Sequence, residues 1–194
     1  SDVGNGALWG SAVSGTPRSQ TAQILNPVFV PPGDAPYAIA DGRLDRFSNG
    51  AMWTERFAAA IGAPAVPSFL GGNIFAAGGA EATDSNLAAA YAPSLAQQLQ
   101  LYTQFNGPMA DPNALYVVAI GGNDARTIVS GAAAILGDGD PTNDATLPGF
   151  IQAGALQYAA SVTAAVLALQ AMGADHLIVW NVPDLGLTPL AQAV

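Results

Sequence analysis

Two glycine turns hold the residues of this chain whose types and spacing could do chemistry. The first lies in NIFAAGGA, residues 73–80, and the second in LYVVAIGGNDAR, Leu115 to Arg126. In the second, a run of apolar side chains ends abruptly in Gly121, Gly122, Asn123 and Asp124. Glycine lets a backbone N–H approach a ligand with no Cβ in the way. Asn123 adds a neutral amide donor, and Asp124 can cap a helix that follows. Fixed neutral donors suit a developing oxyanion, which needs them about 2.7–3.1 Å away. A phosphate would want a longer glycine loop with a lysine, and the chain contains no lysine.

Such turns need elements to hold them. Leu115–Ile120 and Leu177–Trp180 are apolar runs without alternation, the pattern of parallel strands covered on both faces. NIFAA (73–77) reads as a third, short strand. Helices are expected over 50–61, 94–105, 125–136 and 148–172. The first would be capped by Ser48 or Asn49 and would bury Trp53, Phe57, Ala60 and Ile61. The second spaces Leu95, Leu99, Tyr102 and Phe105 for burial. Residues 1–48, rich in Gly, Pro, Ser and Asp, read mostly as loop. Strands alternating with helices predict an α/β fold with a mostly parallel sheet, in one domain over residues 1–194. In such sheets ligands bind where loops leave the carboxyl ends of the strands, and both glycine turns are expected there.

Composition narrows the partners. Fourteen acids face five bases, all arginine (Arg18, Arg43, Arg46, Arg56, Arg126), for a net charge of −9. That charge repels phosphate backbones and anionic lipid, so nucleic acid is excluded as a partner. Cysteine is absent and there is a single histidine, which leaves no thiolate or histidine-rich metal centre. The acidic loop GDGDPTND, with Asp138, Asp140 and Asp144, lacks the spacing of an EF-hand and any distal Glu. It reads as a solvated surface loop, with no metal and no cofactor. Ala145–Ala174 carries no charge but is interspersed with Gln152, Gln157, Ser161, Thr163 and Gln170. A buried amphipathic helix fits it better than a membrane span, so no stable membrane insertion is expected.

Five segments in order resemble the GDSL, or SGNH, family of serine esterases and lipases: SDVGN (1–5), DRFSNGAMWTERFA (45–58), NIFAAGGA (73–80), YVVAIGGNDA (116–125) and NVPDLGLTP (181–189). The combination of DPNALYVV, GGND and PDLGLTP looks most like the family's bacterial secreted and autotransporter branch. The resemblance implies a three-layer α/β/α sandwich that hydrolyses carboxylic esters without a metal, and a secreted or cell-surface location. It also implies a serine nucleophile, a histidine base from a late Asp-x-x-His, and three oxyanion donors. Two donors carry over to this chain: the backbone N–H of Gly79 and the side chain of Asn123. The substrate would be an uncharged small-molecule ester or lipid.

The chain departs from the family pattern in places. The Asn usually found before the Phe-Ala of the glycine block is Ile74, with Asn73 one place earlier. SDVGN aligns with the tail of G-D-S-L-S-D-x-G-N, so Ser1 matches the second serine and the nucleophile lies upstream of it. His176 opens the second apolar run and is expected ~15 Å from the carboxyl edge, at ~3.3 Å per residue, in a surface or cap role. Asp184 sits at the correct edge but has no histidine three residues on. The triad is therefore expected outside this piece, and residues 1–194 alone are expected not to turn over an ester. Two alternatives compete: a non-catalytic glycan- or protein-binding module that has lost the triad, and a nucleotide-binding α/β domain. The second lacks both a phosphate loop and an acidic ribose contact.

Overall fold

A computed structural model describes residues 51–66, 68, 71–83, 92–182 and 184. The readings made for residues 1–48, for Ser48 and Asn49 as caps, and for Ser1 lie outside the described residues. The chain divides into two compact units, Ser1–Ala80 with Leu87–Gly107, and Glu81–Asn86 with Pro108–Val194.

In the first unit, α1 spans Trp53–Ala60. The Met52 N–H at its start donates to Glu55 Oε2 at 2.7 Å, an acid placed where the helix dipole favours it. The Trp53 and Phe57 rings lie 6.3 Å apart on one stripe, as their spacing implies. The residue buried from α1 is Ala58, however, and Ala60 and Ile61 are exposed. Ile61 has left the helix, so it no longer shares the stripe. The second helix, α2, spans Leu95–Asn106 and starts from a reciprocal cap. Ser94 Oγ accepts from the Gln97 N–H, and Gln97 Oε1 accepts from the Ser94 N–H.

The strand expected over 73–77 is not formed. Among the described residues its one bridge is at Ile74, whose N–H donates to the Val66 carbonyl and whose own carbonyl accepts from the Ser68 N–H. Pro64, on the facing segment, has no N–H to offer a ladder. Asn73 closes the loop instead, donating from Nδ2 to the Pro64 carbonyl at 2.8 Å and accepting from the Val66 N–H. Phe75 packs edge-on to Tyr102 of α2 at 5.5 Å and against Phe105 at 6.4 Å. Among the described residues, NIFAA meets a single bridge and packs through Phe75 on α2.

Among the described residues, the paired strands lie in the second unit. β1 (Leu115–Val118) and β2 (His176–Val179) run parallel, with Leu115 opposite His176 and Val118 opposite Val179. Between them lie α3 (Gly122–Gly137), a 3₁₀ turn (Asp144–Thr146) and α4 (Leu147–Ala171). The helices and both parallel runs follow the sequence expectation to within a few residues, and the fold is α/β. α3 and α4 interlock: Phe150 of α4 lies over Gly131 of α3, and Ile128 of α3 lies over Gly154 of α4.

Two burial expectations are corrected. Leu115 and Val117, on one face of β1, are 40% and 36% exposed, so the described residues cover only the other face. In α4 a single stripe is buried (Val162, Ala165, Leu169), whereas Leu156 and Leu167 are 62% and 59% exposed. Alanine fills much of α4, so apolar character runs around the helix and its buried side is not marked by spacing. The span Asp144–Ala171 is long and apolar enough to cross a membrane by length and composition.

The acidic loop is exposed and tied to itself. The Asp140 N–H donates to Asp138 Oδ1 at 2.8 Å, and Asn143 Nδ2 donates to Asp138 Oδ2. Thr142 donates to Asp140 Oδ1 through both its hydroxyl and its N–H. These bonds hold both carboxyls below the usual aspartate value, chiefly through the Asp140 N–H for Asp138 and the Thr142 hydroxyl for Asp140.

Candidate active site

β1 passes through Ala119 and Ile120 into a turn that only glycine can make. Gly121 has φ +118°, a left-handed conformation that L side chains rarely adopt. A Cβ there would also lie 2.5 Å from Val182 Cγ2 and 2.6 Å from Tyr158 Cε2. The Gly121 carbonyl accepts from the Ala125 N–H at 2.9 Å, which starts α3. Asn123 is therefore the second residue of α3 and half-buried, at the carboxyl end of β1. Sequence spacing placed it in the turn before a helix; it belongs to the helix's first turn.

Tyr158 closes the turn from α4. Its hydroxyl donates to the Ile120 carbonyl at 3.2 Å. Burial pushes the phenol above its ordinary value, and the negative charge of Asp124 adds to the shift. The phenol thus remains a neutral donor well into the alkaline range.

Asp124 does not cap α3. The cap is Gly121, which has no side chain, and the Asp124 carboxylate reaches elsewhere. It is 5% exposed and accepts from the Ala82 N–H at 3.0 and 2.9 Å, one contact to each oxygen. It also accepts from the Thr83 N–H at 3.2 Å and the Thr83 hydroxyl at 3.3 Å. Because α3 begins at Gly122 rather than near 125, Asp124 lies inside the first turn and can reach a distant segment. Next to it, Glu81 is 3% exposed; its Oε1 accepts from the Thr127 hydroxyl at 2.6 Å, and its Oε2 is buried with no hydrogen-bond partner.

Gly79 belongs to the first unit and Asn123 to the second. The Ala80 N–H donates to the Ala77 carbonyl at 3.2 Å, closing a tight turn over Gly78 and Gly79. Gly79 has φ +82°, as the third residue of a type II turn requires. Gly79 is exposed, and an added Cβ would meet only Ala92 Cβ at 3.7 Å. The demand for glycine there is conformational rather than steric.

His176 is the first residue of β2, exposed and opposite Leu115, at the amino end of the strand pair. Asp184 lies past β2 and is exposed. His176→Gln is therefore expected to leave ester hydrolysis by the full-length protein within about twofold of wild type, since solvated surface changes usually shift stability by no more than ~0.5 kcal/mol. A loss of several orders of magnitude in kcat would put His176 in the chemistry.

Asp124 as a clamp, the Glu81–Thr127 contact and Tyr158 over Gly121 were not legible in the sequence. The nearest signal was Tyr158, a large polar-tipped ring in a helix otherwise built largely from Ala, Leu and Val.

A family model described as GDSL-like Lipase/Acylhydrolase matches residues 7–193. No curated protein matches the chain, and no solved structure does. Four of the five family-like segments fall within the matched span; SDVGN precedes it.

Proposed function

The chain belongs to the GDSL-like lipase/acylhydrolase family, whose activity is hydrolysis of ester bonds, and on that premise we propose that it acts by a serine-nucleophile mechanism. In this reading the serine Oγ of the family's G-D-S-L segment attacks the acyl carbonyl, and the histidine of its D-x-x-H segment takes the proton. The carbonyl oxygen becomes an oxyanion, which accepts from the Gly79 N–H and the Asn123 amide. Collapse of the tetrahedral intermediate expels the alcohol, and water then releases the acid from the acyl-enzyme. The substrate is an uncharged small-molecule ester or lipid, and the protein works outside the cell or on its surface. The fold of the whole is a three-layer α/β/α sandwich in one domain.

One observation carries this reading: the placement of Asn123 on the first turn of α3, directly after β1, behind a glycine held at φ +118° and crowded by Val182 and Tyr158. A neutral amide on a rigid turn at the carboxyl end of a parallel strand is a fixed dipole of the kind that oxyanion stabilisation uses. The test is covalent labelling. A fluorophosphonate should modify one serine of the full-length protein and abolish ester hydrolysis in step with labelling. Undiminished hydrolysis by fully treated protein would contradict the serine mechanism.

A further inference from the structure

Among the described residues, Glu81 and Asp124 are the buried acids, and the serine mechanism uses neither. Both fasten the segment 81–83 to the first turns of α3. Asp124 takes three donors from Ala82 and Thr83, and Thr127, one helical turn beyond Asn123, donates to Glu81. The start of α3 needs such a tie. Gly121, the residue before the helix, has no side chain with which to cap it. The carboxylate of Asp124 ties the turn from inside, through the backbone of a segment 41 and 42 residues away in sequence.

A carboxylate is the group this geometry requires. The Ala82 N–H lies between both oxygens, and Thr83 brings two further donors to Oδ1. An amide would turn its NH₂ toward one of these donors, and the contact would become repulsive. Charge-assisted bonds to an ionised acceptor are also the stronger and shorter kind.

We infer that Asp124 is a positioning residue for ester hydrolysis: its grip on Ala82 and Thr83 holds the first turn of α3, and with it the neighbouring Asn123 amide, where the oxyanion develops. The inference rests on the reading of Asn123 as an oxyanion donor. It is tested by a double-mutant cycle in the full-length protein, with a p-nitrophenyl acylate as substrate. Asp124→Asn should lower kcat by roughly 10–10²-fold, the cost of a misplaced group, with KM within about twofold of wild type. In the Asn123→Ala background the same change should alter kcat by less than about threefold, because the group being positioned is gone. Thr83→Val removes only the hydroxyl donor and should lower kcat by about 2–10-fold, again only when Asn123 is present. Thr83→Val decides the matter alone if Asp124→Asn has no cooperative melt. Losses of equal factor with and without Asn123 would overturn the positioning role while leaving Asn123 a donor. Wild-type kcat in Asn123→Ala itself would overturn the donor reading and the inference together.

Discussion

Asn123→Ala is expected to lower kcat for ester hydrolysis by about 10²–10³-fold, the usual loss when one oxyanion donor is removed. The effect should appear in kcat rather than KM, because the amide's bond strengthens as charge develops on the carbonyl oxygen. Stability should change little. Asn123 is half-buried rather than enclosed, and alanine suits a helix better than asparagine by roughly 0.5 kcal/mol, which offsets lost contacts. The pairing of a large kcat loss with a nearly unchanged melting temperature separates a donor from a packing residue. Wild-type turnover would remove Asn123 from the site.

The second large effect is on folding. Gly121→Ala forces a side chain into φ +118°, at roughly 1–2 kcal/mol, and drives its Cβ to 2.5 Å from Val182 and 2.6 Å from Tyr158. Relieving such overpacking typically costs about 1–3 kcal/mol more. A total of about 2–5 kcal/mol is a large part of the ~5–15 kcal/mol that holds a typical domain together. The melting temperature should fall by about 5–20 °C. Turnover should fall as well, because Tyr158 and the turn before Asn123 must shift. Gly122→Ala is the control: a Cβ there would have nothing within 4 Å, and its effect should stay within about 1 kcal/mol, toward greater stability. Equal melting temperatures for the two variants would contradict the crowding over Gly121.

The contrast between Gly121 and Gly122 marks where the sequence stops being informative. Their adjacency in IGGND announced a turn after a strand, and the turn is there. Which glycine is obligatory depends on Tyr158 and Val182, 37 and 61 residues further along the chain, and no local pattern reports that. The parallel pairing of β1 with β2 was legible because uninterrupted apolar runs separated by helical spacing leave few other arrangements. His176 at the amino end of β2 followed from the same strand direction. NIFAA misled for a physical reason. Its composition suits a strand, but Pro64 in the segment it faces has no N–H to give, one bridge forms among the described residues, and Phe75 packs against α2. α4 misled in the opposite way: its length was plain, but an alanine-rich helix hides which side is buried. Asp124 has a task at the start of α3, as its place in IGGND suggests, but its partners are the distant Ala82 and Thr83 rather than the helix's own N–H groups. A side chain in the first helical turn and one at the cap look alike in sequence, and a shift of three residues in the helix start separates them.

The central claim is that this protein hydrolyses esters with help from the Asn123 amide. Initial rates of the full-length wild-type protein and of Asn123→Ala on p-nitrophenyl acylates from acetate to palmitate test it most directly. Saturable hydrolysis of at least one chain length, reduced by about 10²–10³-fold in kcat in the variant, is the predicted result. A cooperatively folded wild-type protein that hydrolyses none of them, or a variant that matches it, would contradict the account.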